Sequence, residues 1–147
     1  MKLNFDQEKC SGCFACHIAC IDAHYPVDAE DAESFRATRT IRNEEEGFQK
    51  TICPGCIHCG ACMRACPHGA IYRDEATGFI LVEKEKCIGC RTCEAACPMH
   101  VIRFDKNGKM AKCDGCIEEI RNGRKLPVCV LALPVQFVWK QRKRSKL

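Results

Sequence analysis

Cysteine is the residue in this chain whose number and spacing could do chemistry. Of 147 residues, 16 are Cys. Three copies of one run, C-x2-C-x2-C-x3-C, stand at Cys10, Cys13, Cys16 and Cys20, at Cys56, Cys59, Cys62 and Cys66, and at Cys87, Cys90, Cys93 and Cys97. Pro67 and Pro98 directly follow the second and third runs. A sparser group comprises Cys113, Cys116 and Cys129, and Cys53 stands three residues ahead of Cys56. A tight loop with this spacing can aim three thiolates at three irons of an iron-sulfur cube. Its fourth cysteine enters a helix pointing away, so the runs should work in pairs. Sixteen thiols equal four clusters of four. Zinc ribbons also use C-x2-C knuckles, but in well-separated pairs that build one tetrahedral site. Disulfides fit less well, because cysteines two residues apart pair poorly and no export leader opens the chain.

The stretch from Cys56 to Asp105, with CIHCGACMRACP and CIGCRTCEAACP near its ends, resembles an entire bacterial two-cluster ferredoxin. The resemblance implies that Cys56, Cys59, Cys62 and Cys97 hold one [4Fe-4S] cluster, and that Cys87, Cys90, Cys93 and Cys66 hold its twin. Outside it, KCDGCIEEIRNGRKLPVCVLALP resembles the last cluster motif of the four-cluster electron-transfer subunits of the DMSO reductase family. Those proteins insert one two-cluster unit into a second. Carried over, the resemblance implies that Cys113, Cys116 and Cys129 with Cys20 bind a third cluster, and that Cys10, Cys13 and Cys16 hold a fourth. It implies an α+β fold of two interleaved bacterial 2[4Fe-4S] ferredoxin-like units, loop-rich and stapled by clusters. Residues 1–50 and 106–147 would form the outer unit with a basic tail, and residues 51–105 the inserted one.

The fourth cluster lacks a ligand. The family pattern ends in C-x3-C-P, but here Cys129 is followed by Val130-Leu131-Ala132-Leu133-Pro134, and Leu133 cannot coordinate iron. Three assignments are open. Cys53 completes the Cys10 site; or that site is a [3Fe-4S] or open centre; or Cys53, Cys56 and Cys62 are the ligands and Cys59 is spare. The borrowed Cys53 is favoured, because an unused thiol beside an incomplete iron site would be a coincidence, although cysteine is also a common inert core residue.

The elements that must position these thiols are short. Ala70-Ile71-Tyr72 and Phe79-Ile80-Leu81-Val82 read as strands around the turn Glu75-Ala76-Thr77-Gly78, and Val101-Ile102-Arg103-Phe104 as another ahead of Asn107-Gly108. Helices should begin near Cys62 and Cys93 and stop by the Cys-Pro pairs. Gly12, Gly55, Gly60, Gly89 and Gly115 lie inside the cysteine loops, where they let backbone N–H groups approach sulfide, or simply serve as turn glycines. Ile57, Ile71, Ile88, Ile102 and Ile117 should wall out water. Residues 22–50 form a charged, cysteine-free connector, read either as a solvated excursion or as a docking surface, with Phe35, Ile41, Phe48 and Ile52 packing part of it back onto the clusters.

His17, His24, His58, His68 and His100 lack Rieske-like grouping and read as surface or supporting residues. Protonation of His58, His68 or His100 could still shift a cluster potential through local charge. The tail Lys140-Gln141-Arg142-Lys143-Arg144-Ser145-Lys146-Leu147 reads first as a disordered solubilising end and second as a protein-docking arm. It is a weak nucleic-acid footprint, and no base-reading module accompanies it. Val128 to Trp139 is apolar but broken by Pro134 and Gln136, well short of the roughly 20 residues a membrane span needs, and should pack beside the last cluster or another subunit.

No nucleophile with its base, phosphate loop or nucleotide fingerprint is present, so a non-catalytic role is expected. The first residues carry no export signal, and sixteen thiols suit a reducing cytoplasm. The resemblance implies an electron-transfer subunit that relays single electrons along four iron-sulfur clusters, three or four of them [4Fe-4S], to or from a large catalytic metalloenzyme subunit. A tungsten or molybdenum bis-pterin enzyme such as an aldehyde oxidoreductase is the first choice. The equivalent subunit of a formate dehydrogenase, hydrogenase or carbon monoxide dehydrogenase, a flavin or ferredoxin partner, and self-association into a filament of clusters are further readings. A free polyferredoxin serving several partners is the alternative, but such carriers are usually acidic whereas this chain has a net charge of +4.

Overall fold

The computed structural model describes residues 2–132 and 139–142. Among them, eight strands form four two-stranded antiparallel ribbons. In chain order the elements are β1 Lys2–Phe5, α1 Ala15–His24, β2 Arg39–Asn43, β3 Phe48–Ile52, α2 Ala61–Ala65, β4 Ile71–Arg73 and β5 Ile80–Val82. They continue with α3 Thr92–Ala96, β6 Arg103–Phe104, β7 Met110–Ala111, α4 Ile117–Arg121, α5 Val128–Leu131 and β8 Trp139–Arg142. The ribbons are β1 with β8, β2 with β3, β4 with β5 and β6 with β7.

Proline sets the helix lengths. A residue before proline is driven out of the helical region, and α2 and α3 end after 5 residues each, at extended Cys66 and Cys97 ahead of Pro67 and Pro98. The first run has no proline after Cys20. Its helix therefore runs past Cys20 to His24, 10 residues in all, until extended Tyr25 precedes Pro26.

One turn grammar builds three hairpins: an Asn or Asp side chain accepts backbone N–H groups, and a left-handed glycine closes the loop. Asp74 accepts from Thr77 N and Oγ1 ahead of Gly78, and Asp105 accepts from Asn107 N and Lys109 N around Gly108. Asn43 accepts from Glu45 N and Glu46 N ahead of Gly47. The Glu44-Glu45-Glu46 run is thus the tip of a third hairpin inside the segment read above as a charged connector.

Other expectations need correction. Burial grows along β3 from its first residue to its last, so Ile52 is in the core while Phe48 remains 48% exposed. Only Arg103 and Phe104 of the third expected strand pair with a partner, while Val101 and Ile102 turn into the core. Ile88 is 63% exposed, because its run lies at a surface where Cys90 is exposed too. Residues 139–142, expected in or beside a loose tail, form β8 and pair with β1 in the register Phe5 to Trp139. Leu133, Pro134, Gln136 and the basic residues after Arg142 lie outside the described residues.

The core has two main parts. One centres on Phe79 and Leu81 with Leu3, Ile52 and Ile117. The other joins Ile71, Ile80, Val101, Ile102 and Met110 to the sulfur atoms of Cys62, Cys93 and Cys97. Packing of α1 on α5 and of α2 on α3 brings the carriers of the cysteines together.

Candidate iron-sulfur centres

The three regular runs share one backbone. Left-handed residues stand two and four places after the first cysteine of each: Gly12 and Phe14, His58 and Gly60, Gly89 and Arg91. The sparser group departs from this, with Gly115 and Cys116 left-handed. Left-handed residues interleaved with others curl a loop so that backbone N–H groups converge on one side, which suits anionic sulfur. His58 N donates to Cys56 Sγ, Met110 N to Cys87 Sγ and Gly115 N to Cys113 Sγ, each at 3.3 Å. Close approach explains the glycines: a Cβ on Gly12 would meet Thr51 O, one on Gly89 would meet Gly108 O, and one on Gly115 the Phe79 ring, all within 3.0 Å. Gly55 differs. Its missing Cβ leaves room for the Arg36 guanidinium.

Eight of the thiols gather in two fours across the second and third runs. Cys56, Cys59, Cys62 and Cys97 line one cavity, and Cys66, Cys87, Cys90 and Cys93 line another. Cys53 packs with Cys16 and Cys129, and its thiol lies in the fields of Cys16 and Cys10. Cys116 lies in the fields of Cys129 and Cys20, and Cys113 in those of Cys56 and Cys129. Cys13, Cys59 and Cys90, the second cysteine of each regular run, are exposed. Burial pushes the thiol pKa values up, to about 11 at Cys62 and Cys129 and about 12 at Cys116, and neighbouring sulfurs push the same way. Crowded thiols of this kind stay protonated unless a soft cation binds them, and thiolate sulfur is the ligand type that iron-sulfur clusters require. The donor set therefore fits such clusters.

Two buried cations stand among the sulfurs. Lys112, 6% exposed, donates from Nζ to the carbonyls of Ile80 and Cys113 and lowers the thiol pKa values of Cys56, Cys62 and Cys113 against the larger effect of burial. Arg36, 3% exposed, donates to the Cys53 carbonyl at 2.6 Å. Neither stood out in the sequence, because a lone Arg or Lys among many charged residues carries no sign of burial.

Of the surface and supporting roles expected of it, His58 takes the supporting one. It is 1% exposed, its ring lies 4.5 Å from that of Phe79, and Nδ1 accepts from Ile80 N at 3.0 Å. That bond places the ring proton on Nε2, which faces Cys113 Sγ at 3.8 Å. Burial, reinforced by the Lys112 charge, pushes its pKa down to about 3, so it does not titrate near neutral pH. His68 and His100 are exposed, and His68 lines the cavity of Cys66 and Cys87. His24 bonds the Asp114 carboxylate through Nε2 at 3.0 Å and the Cys20 carbonyl through Nδ1 at 2.8 Å. The Asp114 bond, then the Cys20 sulfur, raise its pKa to about 10.

This is the architecture of a ferredoxin-like protein with several cysteine-built cluster sites. Two family models, each described as a 4Fe-4S dicluster domain, match the sequence, one over residues 45–142 and the other over residues 9–71. The chain therefore belongs to that family, and it is an iron-sulfur protein with more than one [4Fe-4S] site. It is similar to a subunit of the anaerobic dimethyl sulfoxide reductase of Haemophilus influenzae, 36% identical over 146 residues that cover 90% of this chain and 69% of that subunit. The corresponding anaerobic dimethyl sulfoxide reductase subunit of Escherichia coli K12 is 35% identical over 144 residues, covering 89% and 68%. Protein NrfC of Escherichia coli K12 is 35% identical over 140 residues, covering 89% and 60%. Among the described residues no helix is long and apolar enough to cross a membrane.

Proposed function

We propose that this chain is a non-catalytic electron-transfer subunit that relays single electrons along four clusters to or from a catalytic oxidoreductase subunit. The observation that carries this reading is the crossed thiol sets: each of two cavities is lined by three cysteines of one run and the last cysteine of the other. That exchange ties two sites together as a pair suited to electron hopping. The remaining eight thiols would divide into a third set, Cys20 with Cys113, Cys116 and Cys129, and a fourth, Cys53 with Cys10, Cys13 and Cys16; the nearness of Cys116 to Cys129 and Cys20, and of Cys53 to Cys16 and Cys10, supports that division. Cys59 shares its cavity with Cys56, Cys62 and Cys97, which favours Cys53 over Cys59 as the borrowed ligand and four [4Fe-4S] clusters over a three-iron centre.

Bound clusters would each store one electron, at a potential set by net charge, hydrogen bonds to sulfur and exposure. The chain's own residues supply those settings. Backbone N–H groups donate to Sγ, Lys112 and Arg36 bring positive charge, and Ile71, Ile80, Ile102 and Ile117 exclude water. Exposed Cys13, Cys59 and Cys90 mark the edges where an electron enters or leaves. The pairings of β1 with β8 and of α1 with α5 support a nested arrangement, residues 51–105 inserted between 1–50 and 106–147.

The relatives' names favour a catalytic partner of the dimethyl sulfoxide reductase class. The aldehyde-oxidising tungsten enzyme expected from sequence finds no support among these relatives. A cytoplasmic location rests on thiol chemistry alone.

Anaerobic purification tests the proposal. Iron and acid-labile sulfide should both approach about 16 per chain, and native extract should elute the chain with a large metalloenzyme. A lone peak at 16.5 kDa would instead indicate a free carrier. Cys53→Ser should lose roughly a quarter of the iron or convert one site to a three-iron centre with its own EPR signal. Unchanged iron and an unchanged spectrum would remove Cys53 from the ligand set.

A further inference from the structure

The cysteine-free segment between the first and second runs delivers a single buried cation to the sulfur core. Arg36 follows Ser34, whose hydroxyl accepts from Arg36 N at 3.2 Å, and Ala37 N donates to Pro54 O at 2.8 Å, so the segment is clamped against residues 53–55. Arg103 Nη2 donates to the Arg36 carbonyl at 3.2 Å from the other side. The guanidinium enters a notch that only a glycine at 55 leaves open, donates to the Cys53 carbonyl, and lies 6.0 Å from the Phe5 ring centroid. Cys53 itself packs against Cys16 and Cys129. The Arg36 charge beside the Cys16 sulfur draws down the thiol pKa values of Cys16, Cys53 and Cys129, although burial remains the larger influence on all three.

A guanidinium keeps its charge when buried, and a charge removed from water costs several kcal/mol unless opposite charge meets it. Neutral thiols cannot supply that charge. A thiolate-held cluster does, because it is net negative and becomes more so when it accepts an electron. The cation therefore favours the reduced form.

We propose that Arg36 is the fixed counter-cation of the site built by Cys10, Cys13, Cys16 and Cys53, and that it raises the reduction potential of this cluster above what its thiolates alone would set. Arg36 is a positioning residue here: it touches sulfur and carbonyl, and acts on the iron through them. The inference rests on the ligand assignment above, which iron and sulfide analysis of the unmodified protein tests separately. It assigns the connector a task different from docking.

The experiment is an EPR-monitored redox titration of the purified full chain, comparing Arg36→Gln with Arg36→Lys. In Arg36→Gln the midpoint whose signal is altered by Cys53→Ser should move furthest to negative potential, the site that Cys129 helps to hold should move less in the same direction, and the other two should stay in place. Arg36→Lys should recover most of the shift. If Arg36→Gln keeps its full iron and every midpoint is unchanged, the proposal is wrong. Should Arg36→Gln lose iron, retention by Arg36→Lys would still support a need for charge, whereas equal loss in both variants would reduce Arg36 to packing and overturn it.

Discussion

His58 occupies a position that is glycine in the other cysteine groups, and the difference is chemical. A left-handed non-glycine residue is strained by about 1–2 kcal/mol, yet here the side chain stacks on Phe79, satisfies a buried backbone donor and offers Nε2–H to Cys113. A hydrogen bond to sulfur stabilises added negative charge, so it should raise the potential of the cluster that Cys113 helps to hold. His58→Phe preserves bulk and removes both bonds. Redox titration should find one midpoint lowered, and stability should drop by about 1–3 kcal/mol because Ile80 N is left buried without a partner. Since the ring stays neutral above about pH 3, that midpoint should carry no pH slope from His58 between pH 5 and 9. Retention of the wild-type potential in His58→Phe would show that the Nε2 contact is idle. The sequence marked this histidine only as a neighbour of cysteines. Its tautomer and burial depend on Ile80 and Phe79, which reach it from another hairpin.

Among the elements, α1 is held to the sparser cysteine group by the His24–Asp114 pair, which joins the last turn of the helix to the loop between Cys113 and Cys116. Burial opposes the Asp114 charge, but the His24 bond and charge outweigh it and hold that carboxyl below its ordinary range. The folded pKa of His24, about 10, lies above the ordinary 6.5. Its contribution to stability is therefore complete below pH 6.5 and disappears as pH rises through about 10. Thermal unfolding of the cluster-loaded protein should show stability declining between pH 7 and 10, with this component of the slope absent from His24→Gln. The same slope in both proteins would assign the loss to other groups. At this scale much was legible beforehand. Proline after cysteine announced where α2 and α3 end, and the turns at Gly78 and Gly108 were visible. The β2–β3 hairpin escaped notice because its acidic tip reads as a charge run, although Asn43 and Gly47 bracket it in the same grammar as the other two turns.

For the molecule as a whole, most of the cysteines are part of the core and not an addition to it. One of the two main packing clusters contains Cys62, Cys93 and Cys97, and among the described residues four of the five helices have only 4 or 5 residues. Isolated helices of fewer than about 12 residues are marginal in water, so the sites and the fold should be lost together. Removing iron with a chelator under anaerobic conditions should collapse the far-UV circular dichroism along with the visible absorbance; an iron-free chain that kept its helical signal would show a core sufficient without metal. The letters alone determined the type of chemistry, because ligand spacing along a loop is a local property. They also carried the short helices and two hairpins, and the expectation that the runs work in pairs, drawn from a fourth cysteine directed away from its own loop. Only the tertiary structure decided that Cys53 meets Cys16, that Arg36 and Lys112 lie buried among sulfurs, and that His58 spans two cysteine groups. Those relations join segments far apart in sequence, and burial and charge are set by what folds over a residue, which no spacing pattern encodes.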